Sequence, residues 1–99
     1  MEKKKSLEGN DSQEFEELTA EEKDVLLEWI GMYLKPIKRF NYNSSSYGLK
    51  HIFQFSEKGF YVTNGAFKGA MLKAGFKAHN KHEMNWYFNI SKKMVRREK

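Results

Sequence analysis

Asn64, Lys68 and Lys73 carry the first chemistry legible in this chain. Small and apolar side chains recur at Ala66, Phe67, Ala70, Met71 and Ala74, which makes one helical stripe. With Phe67, Met71 and Ala74 turned inward, Asn64, Lys68 and Lys73 face outward or sideways. An asparagine amide can pair with an adenine edge, and a lysine can reach phosphate oxygens or guanine. The same segment holds Gly65 and Gly69, each costing about 1 kcal/mol relative to alanine inside a helix. That cost fits close approach by another backbone, either DNA or a second helix of the same domain. The plainer alternative is a packing helix whose lysines are solvated.

Rings interleaved with cations form a second constellation. Tyr42, Tyr47 and Lys50 flank a serine run, and Trp86, Tyr87 and Phe88 precede Lys92, Lys93, Arg96 and Arg97. Exposed aromatics beside cations make stacking platforms for single-stranded nucleic acid. Tyr47 is read as a ring that stacks on a base. Lys50, Lys77 and Lys81 join Lys68 and Lys73 as phosphate contacts, and Lys92, Lys93, Arg96 and Arg97 form a basic arm. If residues 86–90 are a strand, alternation exposes either Trp86 and Phe88 or Tyr87, and the remaining rings belong to the core.

Other chemistries find little support. Lys58-Gly59-Phe60-Tyr61-Val62 begins like an RNA-recognition signature, but Thr63 and Asn64 stand where a final aromatic is needed. His82-Glu83 lacks the second histidine of a zinc-protease motif, and the chain has no cysteine to supply a thiolate. From Lys35 onward the carboxylates are Glu57, Glu83 and Glu98, too scattered for an acid–base pair. Ser44, Ser45 and Ser46 read as a helix cap rather than as nucleophiles. The expectation is a protein with no catalytic residues, metal or cofactor of its own.

Several local signals place the elements. Thr19-Ala20-Glu21-Glu22 is a capping box, followed by apolar residues at Val25, Leu26, Trp29, Ile30, Tyr33 and Leu34. Pro36 stops that helix near Leu34. Residues 37–43, carrying Lys38, Arg39, Phe40 and Tyr42, form a connector, partly extended. The serine run opens a second helix with Leu49, Ile52 and Phe53, ending before Gly59. Residues 60–62 read as a brief extended piece. Thr63 or Asn64 caps the third helix, and Gly75-Phe76 ends it in a Schellman arrangement. Residues 76–78 and 86–90 read as strands around a polar loop over 79–85. The order is helix, helix, short strand, helix, strand, loop, strand.

Charge divides the chain. From Met1 to Leu34 there are ten acidic and four basic residues, net −6; from Lys35 to Lys99 there are fourteen basic and three acidic, net +11. A body so charged attracts a polyanion, although charge selects neither fold nor sequence. Residues 1–18, with only Leu7, Phe15 and Leu18 as sizeable apolar groups, read as a disordered acidic segment. Residues 19–91 then form the domain, of a size that supports one modest core, and residues 92–99 form a basic C-terminal tail. No apolar run approaches the roughly 20 residues needed to span a bilayer. The first lysines have no apolar stretch behind them, unlike a secretory signal. A reducing, cytoplasmic setting follows as the expectation.

One longer pattern adds to this. Ser46-Tyr47-Gly48-Leu49-Lys50-His51, Gly59 through Phe67, Ala74-Gly75-Phe76 and Asn85 through Ser91 resemble a family of small proteins of phages and integrative elements. The pattern is also similar to the middle proteins of the replication operons of staphylococcal cassette chromosomes. The resemblance covers about half of the chain, residues 42–91, and brings no catalytic residues. It implies an accessory subunit that partners an A-family DNA polymerase and enables it to start primers. The combined expectation is a mainly α domain with a small β-hairpin, a winged-helix-like helix-turn-helix. It would bind single- or double-stranded DNA and a larger replication protein, with no membrane and no small-molecule substrate. The alternatives are a protein-interaction subunit without DNA binding of its own, and a winged-helix transcriptional regulator. The regulator ranks third, because the chain shows no coiled-coil seam for dimerisation.

Overall fold

The computed structural model describes residues 9–91. Within them lie a 3-10 helix (Ser12–Glu17), three α-helices, α1 (Ala20–Tyr33), α2 (Ser46–Gln54) and α3 (Asn64–Lys73), and three strands, β1 (Pro36–Ser45), β2 (Ala78–His79) and β3 (Tyr87–Ile90). The strands form one antiparallel sheet in the order β1-β3-β2.

The helix starts follow their caps. Thr19 accepts from the Glu22 N–H at 3.1 Å while Glu22 accepts from the Thr19 N–H at 2.9 Å, so both orphan donors are satisfied at the start of α1. Ser45 caps α2 and Thr63 caps α3. The end of α3 is a Schellman motif: the Gly75 N–H donates to Leu72 O and the Phe76 N–H to Met71 O, both at 3.0 Å. Gly75 has φ +95°, a region that L side chains rarely adopt, and Phe76 turns into the core just beyond it.

The core is aromatic at its centre. Phe53, Phe67 and Phe88 are fully buried with Leu26, Ile30, Leu49 and Met71. Trp29 of α1 meets Phe53 of α2 and Phe67 of α3 edge-on, with centroids 5.4 and 6.3 Å apart. These rings clamp the three helices together over the inner face of β3, where Phe88 and Ile90 point inward.

Three expectations need correction. Residues 37–43, expected as a partly extended connector, are most of β1 (Pro36–Ser45), which pairs with β3 in a register broken by irregularities on both sides of Asn41. Residues 60–62 form no strand; the chain there turns from α2 into α3, fastened by a bond from the Val62 N–H to Gln54 Oε1. Residues 9–18 are not disordered. Asp11 caps the 3-10 helix through its side chain, and Phe15, 3% exposed, enters the core. One ring in a polar stretch gave composition too little to weigh; its pocket is built by residues far away in sequence. The first eight residues and the basic tail lie outside the described residues.

Candidate nucleic-acid interface

The outer face of α3 is occupied by the chain itself. The Gly65 N–H donates to the Gly9 carbonyl at 2.9 Å. Glu14 clasps the helix start, accepting from the Thr63 hydroxyl at 2.6 Å and from the Gly9 N–H at 2.8 Å. A Cβ on Gly65 would collide with the Asp11 backbone, and one on Gly69 with Ser12 O and with Phe15 Cβ. The close approach that these glycines permit is thus filled by the 3-10 helix, not left open for DNA.

That cover removes two predicted contacts from the surface. Lys68 is 2% exposed; its Nζ donates to the Asn10 carbonyl at 2.9 Å and sits 4.5 Å from the centre of the Trp86 ring. Burial pulls the Lys68 amine below its ordinary pKa, with Asp11 and Glu14 partly offsetting the effect. Asn64 is 6% exposed, and its amide nitrogen lies within hydrogen-bond distance of Asn10 Oδ1, Met84 O and Asn85 Oδ1. Its Oδ1 has no partner among the described residues. Neither side chain faces outward as the helical stripe suggested, because residues 10–15 cover the part of α3 that carries them; Lys73, at the helix end, stays exposed.

Lys50 is also withdrawn. It is buried, donates to Gln54 Oε1 at 2.8 Å, and lies 5.0 Å from the ring centre of Tyr61 and 5.4 Å from that of Tyr47. Desolvation again lowers the amine pKa. Tyr47 remains exposed, edge-on to His51 at 4.5 Å. Lys73, Lys77 and Lys81 are exposed. Lys92, Lys93, Arg96 and Arg97 lie outside the described residues.

The sheet brings together residues that sequence reasoning left scattered. Phe88 and Ile90 face the core and Trp86 is buried, so Tyr87 is the ring of its segment that turns outward. His79 of β2 is paired with Tyr87 in register. The His79 ring meets Phe40 and Tyr42 of β1, each at 5.3 Å, and Tyr42 meets Tyr87 at 5.5 Å. One four-ring cluster thereby spans all three strands. Lys38 and Arg39 line a shallow depression along β1 together with Phe40 and Tyr42. Lys77 adjoins β2, its N–H donating to Asn89 Oδ1 at 2.7 Å. The alternation Phe40-Asn41-Tyr42 after Lys38-Arg39 was the available signal; the partner strands that complete the cluster lie more than 35 residues away.

Beyond the sheet, the loop over residues 80–85 turns at Asn80, φ 50°, whose side chain accepts from the His82 N–H at 3.1 Å and donates to Glu83 at 3.3 Å. Trp86 Nε1 donates to the Lys81 carbonyl at 3.3 Å, holding the loop's far end against the body.

No family model matches the chain, and no curated protein or solved structure matches it either. Among the described residues no three His, Cys, Asp or Glu side chains are grouped to hold a metal ion, and no helix is long and apolar enough to cross a membrane.

Proposed function

We propose that this chain is a nucleic-acid-binding accessory subunit of winged-helix type. It serves DNA replication in a mobile element, beside a larger enzyme such as a DNA polymerase whose primer synthesis it supports. The element order supports the fold reading: a helix, an edge strand, two helices in tandem and a closing hairpin, with the first strand paired to the last. The segregation of charge carries the functional one. The 3-10 helix and α1 hold Glu14, Glu16, Glu17, Glu21, Glu22, Asp24 and Glu28, whereas the strands and the residues beside them present Lys38, Arg39, Lys77 and Lys81, with Glu83 as the local carboxylate. A polyanion is therefore drawn to the sheet and repelled from the 3-10 helix and α1.

Titration of labelled single-stranded and duplex DNA at several salt concentrations tests this. Binding should weaken linearly on a log–log plot, by about 0.7 to 0.9 in slope for each phosphate neutralised. Absence of binding to both forms would overturn an independent nucleic-acid function. In that case the second reading takes over, a protein-interaction subunit. It is favoured by Phe55 and Tyr61, 83% and 72% exposed beside α2, since aromatics of that kind serve as interface anchors. Co-elution with a polymerase at micromolar concentration would then be the expected result.

A further inference from the structure

We infer that the outer face of the sheet is a stacking platform for single-stranded DNA, with Phe40, Tyr42, His79 and Tyr87 as its ring surface and Lys38, Arg39 and Lys77 holding the backbone. The inference rests on the nucleic-acid reading above and assigns it a ligand class and a location.

The rings stand outside the core cluster, to which β3 contributes Phe88 and Ile90. Tyr42 is 57% exposed and His79 is exposed. Their mutual geometry leaves π-faces open. His79 stands at 65° to Phe40 and 89° to Tyr42, and Tyr42 at 59° to Tyr87. In a perpendicular pair the edge of one ring engages one face of the other, which leaves a second face for a base on the exposed members, Tyr42 and His79, with Phe40 and Tyr87 half-buried beside them. In RNA-recognition sheets, a different architecture, exposed aromatics stack about two or three bases, and rings spread over strands about 4.8 Å apart offer a comparable span.

Two features select a single strand with little sequence preference. The faces of duplex bases are already stacked, and opening a step costs a few kcal/mol, so a flat sheet of rings meets a single strand more readily. The Asn89 amide, at the centre of the sheet, is already engaged, donating to Ile37 O at 3.0 Å and accepting from the Lys77 N–H. That leaves stacking, which every base offers, as the main source of affinity.

The full chain would be titrated with a labelled 12-nucleotide oligo-dT, the matching oligo-U and a duplex hairpin, over a range of salt. Tyr42→Ala with His79→Ala should weaken oligo-dT binding about 10- to 100-fold without changing the salt slope. Tyr42→Phe should retain it. Lys38→Gln, Arg39→Gln and Lys77→Gln together should lower the slope by about 2, at roughly 0.7 per phosphate on a single strand. Circular dichroism would check that each variant is folded, which the exposure of the altered side chains favours. Ring variants that bind like the parent while the charge variant weakens would overturn the platform and leave the nucleic-acid reading standing. Tighter binding of the hairpin or of oligo-U would also overturn it. If the parent binds none of the three, both fail.

Discussion

At the scale of single residues, Lys68 shows how burial converts an apparent ligand contact into structure. Its ammonium is held by one carbonyl and one indole face, and a cation stripped of water is kept only where such partners replace the solvent. The pKa depression has a consequence for stability. Below the folded pKa of Lys68, the cost of burying the charge is present in full. Between that value and the ordinary 10.5, the unfolded chain binds more protons than the folded one, so stability rises with pH. Denaturation of the parent and of Lys68→Met across the alkaline range should show the difference in stability moving in the parent's favour as pH approaches 10.5. A difference independent of pH would mean that the amine titrates as it does in water.

At the scale of elements, α3 is held between the core and the 3-10 helix, and its glycines are the reason. Gly65→Ala places a methyl group against the Asp11 backbone, and overpacking of this sort costs about 1 to 3 kcal/mol. Gly31, near the end of α1, has nothing within 4 Å of where its Cβ would lie. Gly31→Ala should therefore stabilise by about 0.5 to 1 kcal/mol, through helix propensity and the entropy of the unfolded chain. Urea titration of the two variants should show midpoints moving in opposite directions. Equal and small shifts would mean that the 3-10 helix does not press on α3. The glycine cost was visible in the sequence, and it pointed to a close neighbour; the neighbour's identity was not visible, because DNA and a second helix demand the same absent side chain.

At the scale of the whole molecule, acidic and basic surfaces lie on different elements, and the N-terminal acidic segment is part of the folded body. Phe15 anchors it among the helices at 3% exposure. Phe15→Ala should cost about 3 to 5 kcal/mol, a large share of the total stability of a small domain. Calorimetry should record one transition at a much lower temperature. A loss below about 1 kcal/mol would mean that the segment is an independent strap rather than a layer of the core. The same arrangement bears on ligand approach. With the 3-10 helix over α3, Asn64 and Lys68 are withdrawn from solvent, while Lys38, Arg39 and Lys77 in and beside the sheet stay exposed.

The sequence by itself determined the three α-helices, their caps, the Schellman ending at Gly75, the last strand to within one residue (86–90 expected, Tyr87–Ile90 found) and the division of charge between the two parts of the chain. Each is decided by neighbours a few residues apart, or by composition alone. Only the tertiary structure decided that β1 pairs with β3, that residues 9–17 cover α3, and that Phe40, Tyr42, His79 and Tyr87 share one face. Those outcomes join segments tens of residues apart. They depend on shape and burial across the assembled core: an inward Phe88 forces Tyr87 outward, and two glycines leave room for a helix that no local pattern names.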